Sequence, residues 1–129
     1  MTDTAIESEI QAKGLTAPRV TPGDIEANIA SEHYFTAADG VAGSAMNQAK
    51  TAGATTCTWH NLRELSLLTF CVLVLRNGFT VTGESACASP ENFDAEVGRK
   101  IARANAVQKI WPLMGYELRT KLAKSMEQA

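Results

Sequence analysis

The sequence predicts an α+β fold: an antiparallel β-hairpin or small sheet packed on a long C-terminal helix, with a short N-terminal helix and a short terminal helix. Three observations carry this reading. Asn77-Gly78 separates two β-rich runs, LTFCVLVL and TVTGESA, and Asn-Gly is the preferred type I′ turn because both central residues must accept positive φ. Apolar residues recur at helical spacing from Phe93 to Trp111. Thr21-Pro22-Gly23-Asp24 combines a Thr N-cap, a Pro at the first helical position and an acid in the first turn.

In chain order, residues 1–20 read as a flexible leader, since Gly14 and Pro18 interrupt any helix. A single domain then spans 21–129. Ile25 and Ile29 give the first helix an apolar edge, and Tyr34-Phe35 can pin its end to the core. Residues 36–61 are mostly Ala, Gly, Ser and Thr. They read as a loop excursion with at most a weak helix near 43–50, and loops of that length are functional or disordered.

A two-residue turn at Asn77-Gly78 sets Arg76 opposite Phe79, Val74 opposite Val81, Val72 opposite Gly83 and Phe70 opposite Ser85. One face then holds Leu68, Phe70, Val72, Val74, Phe79 and Val81, the other Cys71, Leu73 and Leu75 against Thr80, Thr82 and Glu84. The second face is too apolar on one strand for free exposure, so another element or subunit should cover it. The long helix begins at Ser89-Pro90 or one turn later at Asn92, since both fit an N-cap. Phe93, Val97, Ile101, Ala104, Val107 and Trp111 form the expected core stripe. A second stripe, Ala95, Gly98, Ala102 and Ala106, is small enough for close approach of another backbone. Pro112 should end or kink this helix. Gly115 then separates it from a shorter one, Tyr116 to about Met126.

Composition limits function. The hydrophobic share of 45% in 129 residues supports one modest core, which self-association would help to stabilise. A net charge of −2 argues against general nucleic-acid or acidic-membrane binding. The opening MTDTAIESEIQAKG is too polar for a signal peptide, and no apolar run suffices to span a bilayer. Three cysteines without framework spacing fit a reducing cytoplasm.

Arg99 and Arg103 lie one helical turn apart, with Lys100 beside them and Lys109 further along. Guanidinium forks bind phosphate or pyrophosphate bidentately; the competing reading is a solvated face with Glu96 pairing to Arg99 or Lys100. Asn92 at a helix start can read a base or ribose edge, and Phe79 after the turn can stack on a base. Against these stand an ordinary N-cap and an ordinary cross-strand packing residue. Cys57-Thr58-Trp59-His60 is only half a zinc site, so no metal is expected, and His33 has no identifiable partner. No nucleophile-elbow, phosphate-loop or His-Glu-x-x-His motif occurs. Ser85 and Ser89 lack a neighbouring base, and Glu84 is a single carboxylate. The chain reads as a binder without cofactor rather than an enzyme.

Asn77-Gly78-Phe79, Gly83-Glu84-Ser85, Pro90-Glu91-Asn92-Phe93, Gly98-Arg99-Lys100-Ile101-Ala102 and Lys109-Ile110-Trp111 with Gly115-Tyr116 together resemble a small phage-encoded family. The opening helix TPGDIEANI with Tyr34 resembles it too, so the likeness covers roughly 20–36 and 67–122. That family is similar to phage anti-Thoeris sponges, which sequester cyclic ADP-ribose isomers made by bacterial TIR enzymes and in some cases cyclic oligonucleotides. The resemblance implies a cytoplasmic protein of the infected host, a homodimer or trimer of dimers, and ligand held at subunit junctions without cleavage. It also assigns roles. Arg99 and Arg103 would meet the pyrophosphate, Asn92 a ribose or base edge, and Phe79 or Tyr116 the adenine, with Lys109 nearby. The rival readings are a subunit that binds a host protein and a nucleotide-processing enzyme using Glu84.

Overall fold

Leu75 closes the hairpin with two hydrogen bonds: its carbonyl accepts from Gly78 N at 2.9 Å and its amide donates to Phe79 O at 2.8 Å. The structure, a computed structural model, describes residues 2–15, 17–52 and 63–128. Among these only Gly14 and Gly78 have positive φ, so Asn77 is not left-handed and the turn is not type I′. Arg76, Asn77 and Gly78 form a three-residue loop ending in a left-handed glycine (φ 89°). Asn77 Oδ1 holds this shape by accepting from Phe79 N at 2.9 Å.

The extra loop residue shifts the expected register by one. Strand β2 (Leu68–Leu75) pairs with β3 (Thr80–Ala86) as Leu73↔Val81, Cys71↔Gly83 and Phe70↔Glu84. A slip of one residue exchanges the faces of a strand. Val81 therefore joins Cys71, Leu73 and Leu75 in the core, and Phe70, Val72 and Val74 share the outer face with Glu84, Thr82 and Thr80.

A third strand, β1 (Ile29–Thr36), pairs antiparallel with β2, giving the order β1-β2-β3. Tyr34 and Phe35 thus belong to a strand rather than to the end of the first helix. Phe35 stacks on Phe70 across the pair, ring centroids 5.5 Å apart. Before β1, Thr21 and Asp24 make a reciprocal capping box that starts α2 (Pro22–Ala27) as its sequence predicts.

Two segments expected to be irregular are helical. Residues 3–12, within the expected leader, form α1 (Asp3–Ala12), capped by Thr2. It is tied down by Glu7 pairing with Arg19 and by Trp111 Nε1 donating to Asp3 at 3.3 Å. The first part of the expected loop excursion is α3 (Ala37–Ala52), a 16-residue helix. Thr36 and Asp39 cap it reciprocally at 3.0 and 3.1 Å, and Gly40 lies against the Phe35 ring. An alanine-rich run has high helix propensity once a cap and one packing contact exist.

The long helix differs from expectation in start, face and length. Pro90–Asn92 is a single 3-10 turn, and the cap of α4 (Ala95–Glu127) is Asp94, whose carboxylate accepts from Val97 N at 3.0 Å. The small stripe, not the large one, faces the sheet. Gly98, Ala102 and Ala106 are buried with Val107 and Ile110, while Val97 and Ile101 are 51% and 46% exposed. Gly83 explains this. A Cβ there would lie 2.1 Å from Ala102 O and 2.3 Å from Ala106 N, so helix and strand touch backbone to backbone. A stripe of Val and Ile would hold the helix too far away.

The helix also runs unbroken through Pro112 and Gly115. Pro112 is exposed, and so is Gln108, whose carbonyl loses its helical donor and can bond to water instead.

Gly83→Ala should destabilise the fold by about 3 kcal/mol or more, since backbone atoms cannot yield as side chains do. Chemical denaturation measures it; a variant as stable as the wild type, or more stable by the ~0.4–1 kcal/mol of an unstrained Gly-to-Ala change, would contradict the close contact.

Candidate ligand-binding site

The N-terminal half of α4 packs on β3 and β2, and on the neighbouring β1 the register places Glu32 opposite Leu73 and Tyr34 opposite Cys71. Arg103 projects into this region and is fully engaged. Its Nη1 and Nη2 donate to the two Glu26 oxygens at 3.1 and 2.7 Å, and its Nε donates to Glu32 at 2.9 Å. Tyr34 Oη donates to the same Glu32 oxygen at 2.6 Å. The hydrogen bonds from Arg103, and then from Tyr34, hold the Glu32 carboxyl below its ordinary range. Burial, and then the Glu32 hydrogen bond, push the Tyr34 phenol well up, so it remains a donor. Burial likewise raises the Cys71 thiol. One guanidinium against two carboxylates leaves no positive charge to offer an anion. Arg103 is a strut joining α2, β1 and α4.

Arg99, one turn earlier, is different. It makes no hydrogen bond or ion pair with any described residue. It lines a cleft of about 110 Å³ with Tyr34, Phe35, Thr36, Asp39 and Phe93. The Asp39 carboxylate there accepts from the Thr36 amide. The cleft therefore brings a guanidinium with open donor positions together with the Phe35 and Phe93 rings and the Asp39 carboxylate, while the Tyr34 hydroxyl is committed to Glu32. Such a set suits an anionic group attached to a flat ring.

The remaining sequence-predicted residues lie elsewhere. Asn92 lines a separate cleft of about 130 Å³ with Cys87, Phe93, Val97 and Ile101, and Phe93 borders both clefts. Arg103 edges a third groove of about 390 Å³ with Glu26, Val107 and Trp111. Phe79, 56% exposed, stands at the hairpin end. Lys109 Nζ lies 3.5 Å from the Thr82 hydroxyl, and Tyr116 is 78% exposed near the far end of α4. Among the described residues, then, Arg99 and Arg103 line different clefts, and Phe79, Lys109 and Tyr116 line none of these three. Lys100 belongs to a solvated helix face, pairing with Glu96 at 3.3 Å.

Sequence reasoning missed Tyr34, Phe35, Asp39 and Phe93 as cleft residues, and Glu26 and Glu32 as partners of Arg103. IASEHYFT has no alternation of apolar and polar residues to mark a strand; once it is paired in the sheet, period two puts Glu32 and Tyr34 on one face. Among the described residues, no group of His, Cys, Asp and Glu is arranged to hold a metal ion. The Cys57–His60 pair lies outside them. No described helix is long and apolar enough to cross a membrane.

Residues 20–122 match the phage protein (N4 Gp49/phage Sf6 gene 66) family, so the chain belongs to that family. The family description names a phage protein and no activity. Neither a curated protein nor a solved structure matches the chain.

Arg103→Ala should cost about 1–2 kcal/mol, the upper part of the range for partly exposed bidentate pairs. A carboxyl depressed by folding stabilises at neutral pH, and that contribution is lost as pH falls through and below the ordinary carboxylate range. Glu32 should therefore give the wild type an acid-side loss of stability that Arg103→Ala shows more weakly. Denaturation midpoints across pH 3–7 (a window of about this width) measure it; parallel pH profiles would contradict the strut.

Proposed function

From its place in this phage family, we propose that the protein is a non-catalytic anti-defence binder that sequesters cyclic ADP-ribose-type immune signal nucleotides. Cyclic oligonucleotides are the nearest alternative ligands. The observation that supports this reading most is the unengaged Arg99 guanidinium beside Phe35 and Phe93. Pyrophosphate needs a cationic fork, and a purine needs an aromatic surface.

Size shapes the mode of binding. The Arg99 cleft, about 110 Å³, falls short of the several hundred Å³ typical of sites that enclose a drug-sized ligand. It can take a phosphate or the edge of one ring. The rest of a cyclic dinucleotide-like molecule must meet a second chain, in keeping with a ligand held at a subunit junction. Asn92 in the adjoining cleft, and Phe79, Lys109 and Tyr116 elsewhere on the surface, are then contacts across that junction rather than within one chain.

Sequestration also requires that nothing in the cleft attack the ligand. Asp39 is occupied by a backbone amide, and the Tyr34 phenol is held protonated by burial and Glu32. A phenol that stays protonated is no general base, and Asp39 has one of its two oxygens committed to the helix cap.

Cyclic ADP-ribose should raise the melting temperature of the wild type, since a ligand at about 100 times Kd adds roughly 2.7 kcal/mol. Arg99→Ala should abolish the shift while leaving circular dichroism native, and heat-denatured complex should release the ligand intact. No shift with any cyclic nucleotide would remove the proposal, and recovery of a cleaved product would replace it with an enzyme.

A further inference from the structure

Arg99 and Asp39 line the same cleft, yet no hydrogen bond or ion pair joins them. They come from different elements, Arg99 from the second turn of α4 and Asp39 from the first turn of α3. The Asp39 carboxylate commits one oxygen, Oδ2, to the Thr36 amide at 3.0 Å, and its own amide donates to the Thr36 hydroxyl at 3.1 Å. This reciprocal cap holds the carboxylate in place. The other oxygen, Oδ1, bonds to no described residue.

A cation and an anion held apart in one small cleft select for chemistry that neither selects alone. A bare phosphate satisfies Arg99 but is repelled by Asp39. A neutral sugar satisfies Asp39 and leaves Arg99 without an acceptor. A phosphate with a hydroxyl donor beside it, as on a phosphorylated ribose, answers both. An ionised carboxylate only accepts hydrogen bonds. Dinucleotide-binding folds read a free ribose hydroxyl with Asp or Glu, and use an arginine where that hydroxyl carries a phosphate.

The size of the cleft, about 110 Å³, agrees with this division. A phosphate oxygen and one sugar hydroxyl are a corner of the ligand and fit where a whole nucleotide does not. An amine on the base lies across the sugar from the phosphate, so it suits a cleft of this size less well.

We propose that Asp39 is the specificity-determining residue of the Arg99 cleft: its open oxygen accepts from a sugar hydroxyl of the ligand while Arg99 holds the neighbouring phosphate. The cleft then takes ribosyl phosphates whose hydroxyl is free. It refuses those whose hydroxyl is missing or itself phosphorylated. Asp39 can play this part only if Arg99 binds a signal nucleotide as proposed above.

Isothermal titration of the full chain with cyclic ADP-ribose and its analogues tests this. One set of analogues lacks a hydroxyl on one or the other ribose, and a second set is phosphorylated there. In the wild type, removing or phosphorylating the hydroxyl that Asp39 reads should weaken binding roughly tenfold or more, the scale of a hydrogen bond to a charged group. Asp39→Asn keeps an oxygen for the Thr36 amide, so circular dichroism should stay native, and it turns the open acceptor into a donor. This variant should bind cyclic ADP-ribose more weakly than the wild type does, and the phosphorylated analogue roughly tenfold more tightly. A wild type that binds every analogue as tightly as cyclic ADP-ribose, or an Asp39→Asn variant with the wild-type ranking, would overturn the role of Asp39 and leave the binder standing. A wild type that binds no cyclic nucleotide would remove both.

Discussion

The contact of Gly83 with the backbone at Ala102 and Ala106 governs the arrangement of everything else. Dispersion attraction falls steeply with separation, so a helix that can reach van der Waals distance of a strand gains most from doing so. Only small residues on both elements permit it. The helix therefore turns its Gly98–Ala102–Ala106 stripe inward and carries larger apolar residues on its flanks. The core owes its size to residues around this line: Cys71, Leu73 and Val81 from the sheet, and Val107 and Ile110 from the helix.

That choice of face decides the chemistry. With the small stripe inward, Arg103 swings over β1 and meets Glu26 and Glu32, while Arg99 reaches the aromatic cleft beside α3. Two arginines one turn apart thus have opposite fates. Arg103 supplies cohesion, and its charge is cancelled. Arg99 keeps its charge and its donors open to solvent. An anion arriving at this surface would find Arg99 available, whereas binding at Arg103 would first require breaking a bidentate pair.

Much of the fold was legible in the sequence. Thr21-Pro22-Gly23-Asp24 announced its helix, Asn77-Gly78 its hairpin, and the 3.6-residue spacing the long helix. Failures came where two local rules competed. Asn-Gly suits both a type I′ turn and a three-residue loop ending in left-handed glycine, and the Asn77 side chain bonding to Phe79 N selects the second. Hydrophobicity alone favours the Val97–Ile101 stripe as core, but the close approach at Gly83 admits only the small stripe. Pro112 fits an end or a kink by local rule, yet the helix runs through it at an exposed turn. The candidate cleft was half legible. Arg99 could be singled out as a cation, but Tyr34, Phe35 and Asp39 come from a strand and a helix cap that carried no clear local signal. Arg103 shows a general limit: charge spacing along one helix says nothing about carboxylates contributed by other elements.

Arg99 as an open anion-binding group is what the proposed retention of a ligand depends on. Native mass spectrometry of protein purified from cells with an active TIR defence tests this most directly. Wild-type protein should carry a small molecule of cyclic ADP-ribose mass, and Arg99→Ala protein from the same cells should emerge without it. Wild-type protein that emerges empty, or an Arg99→Ala variant that carries the same adduct, would contradict it.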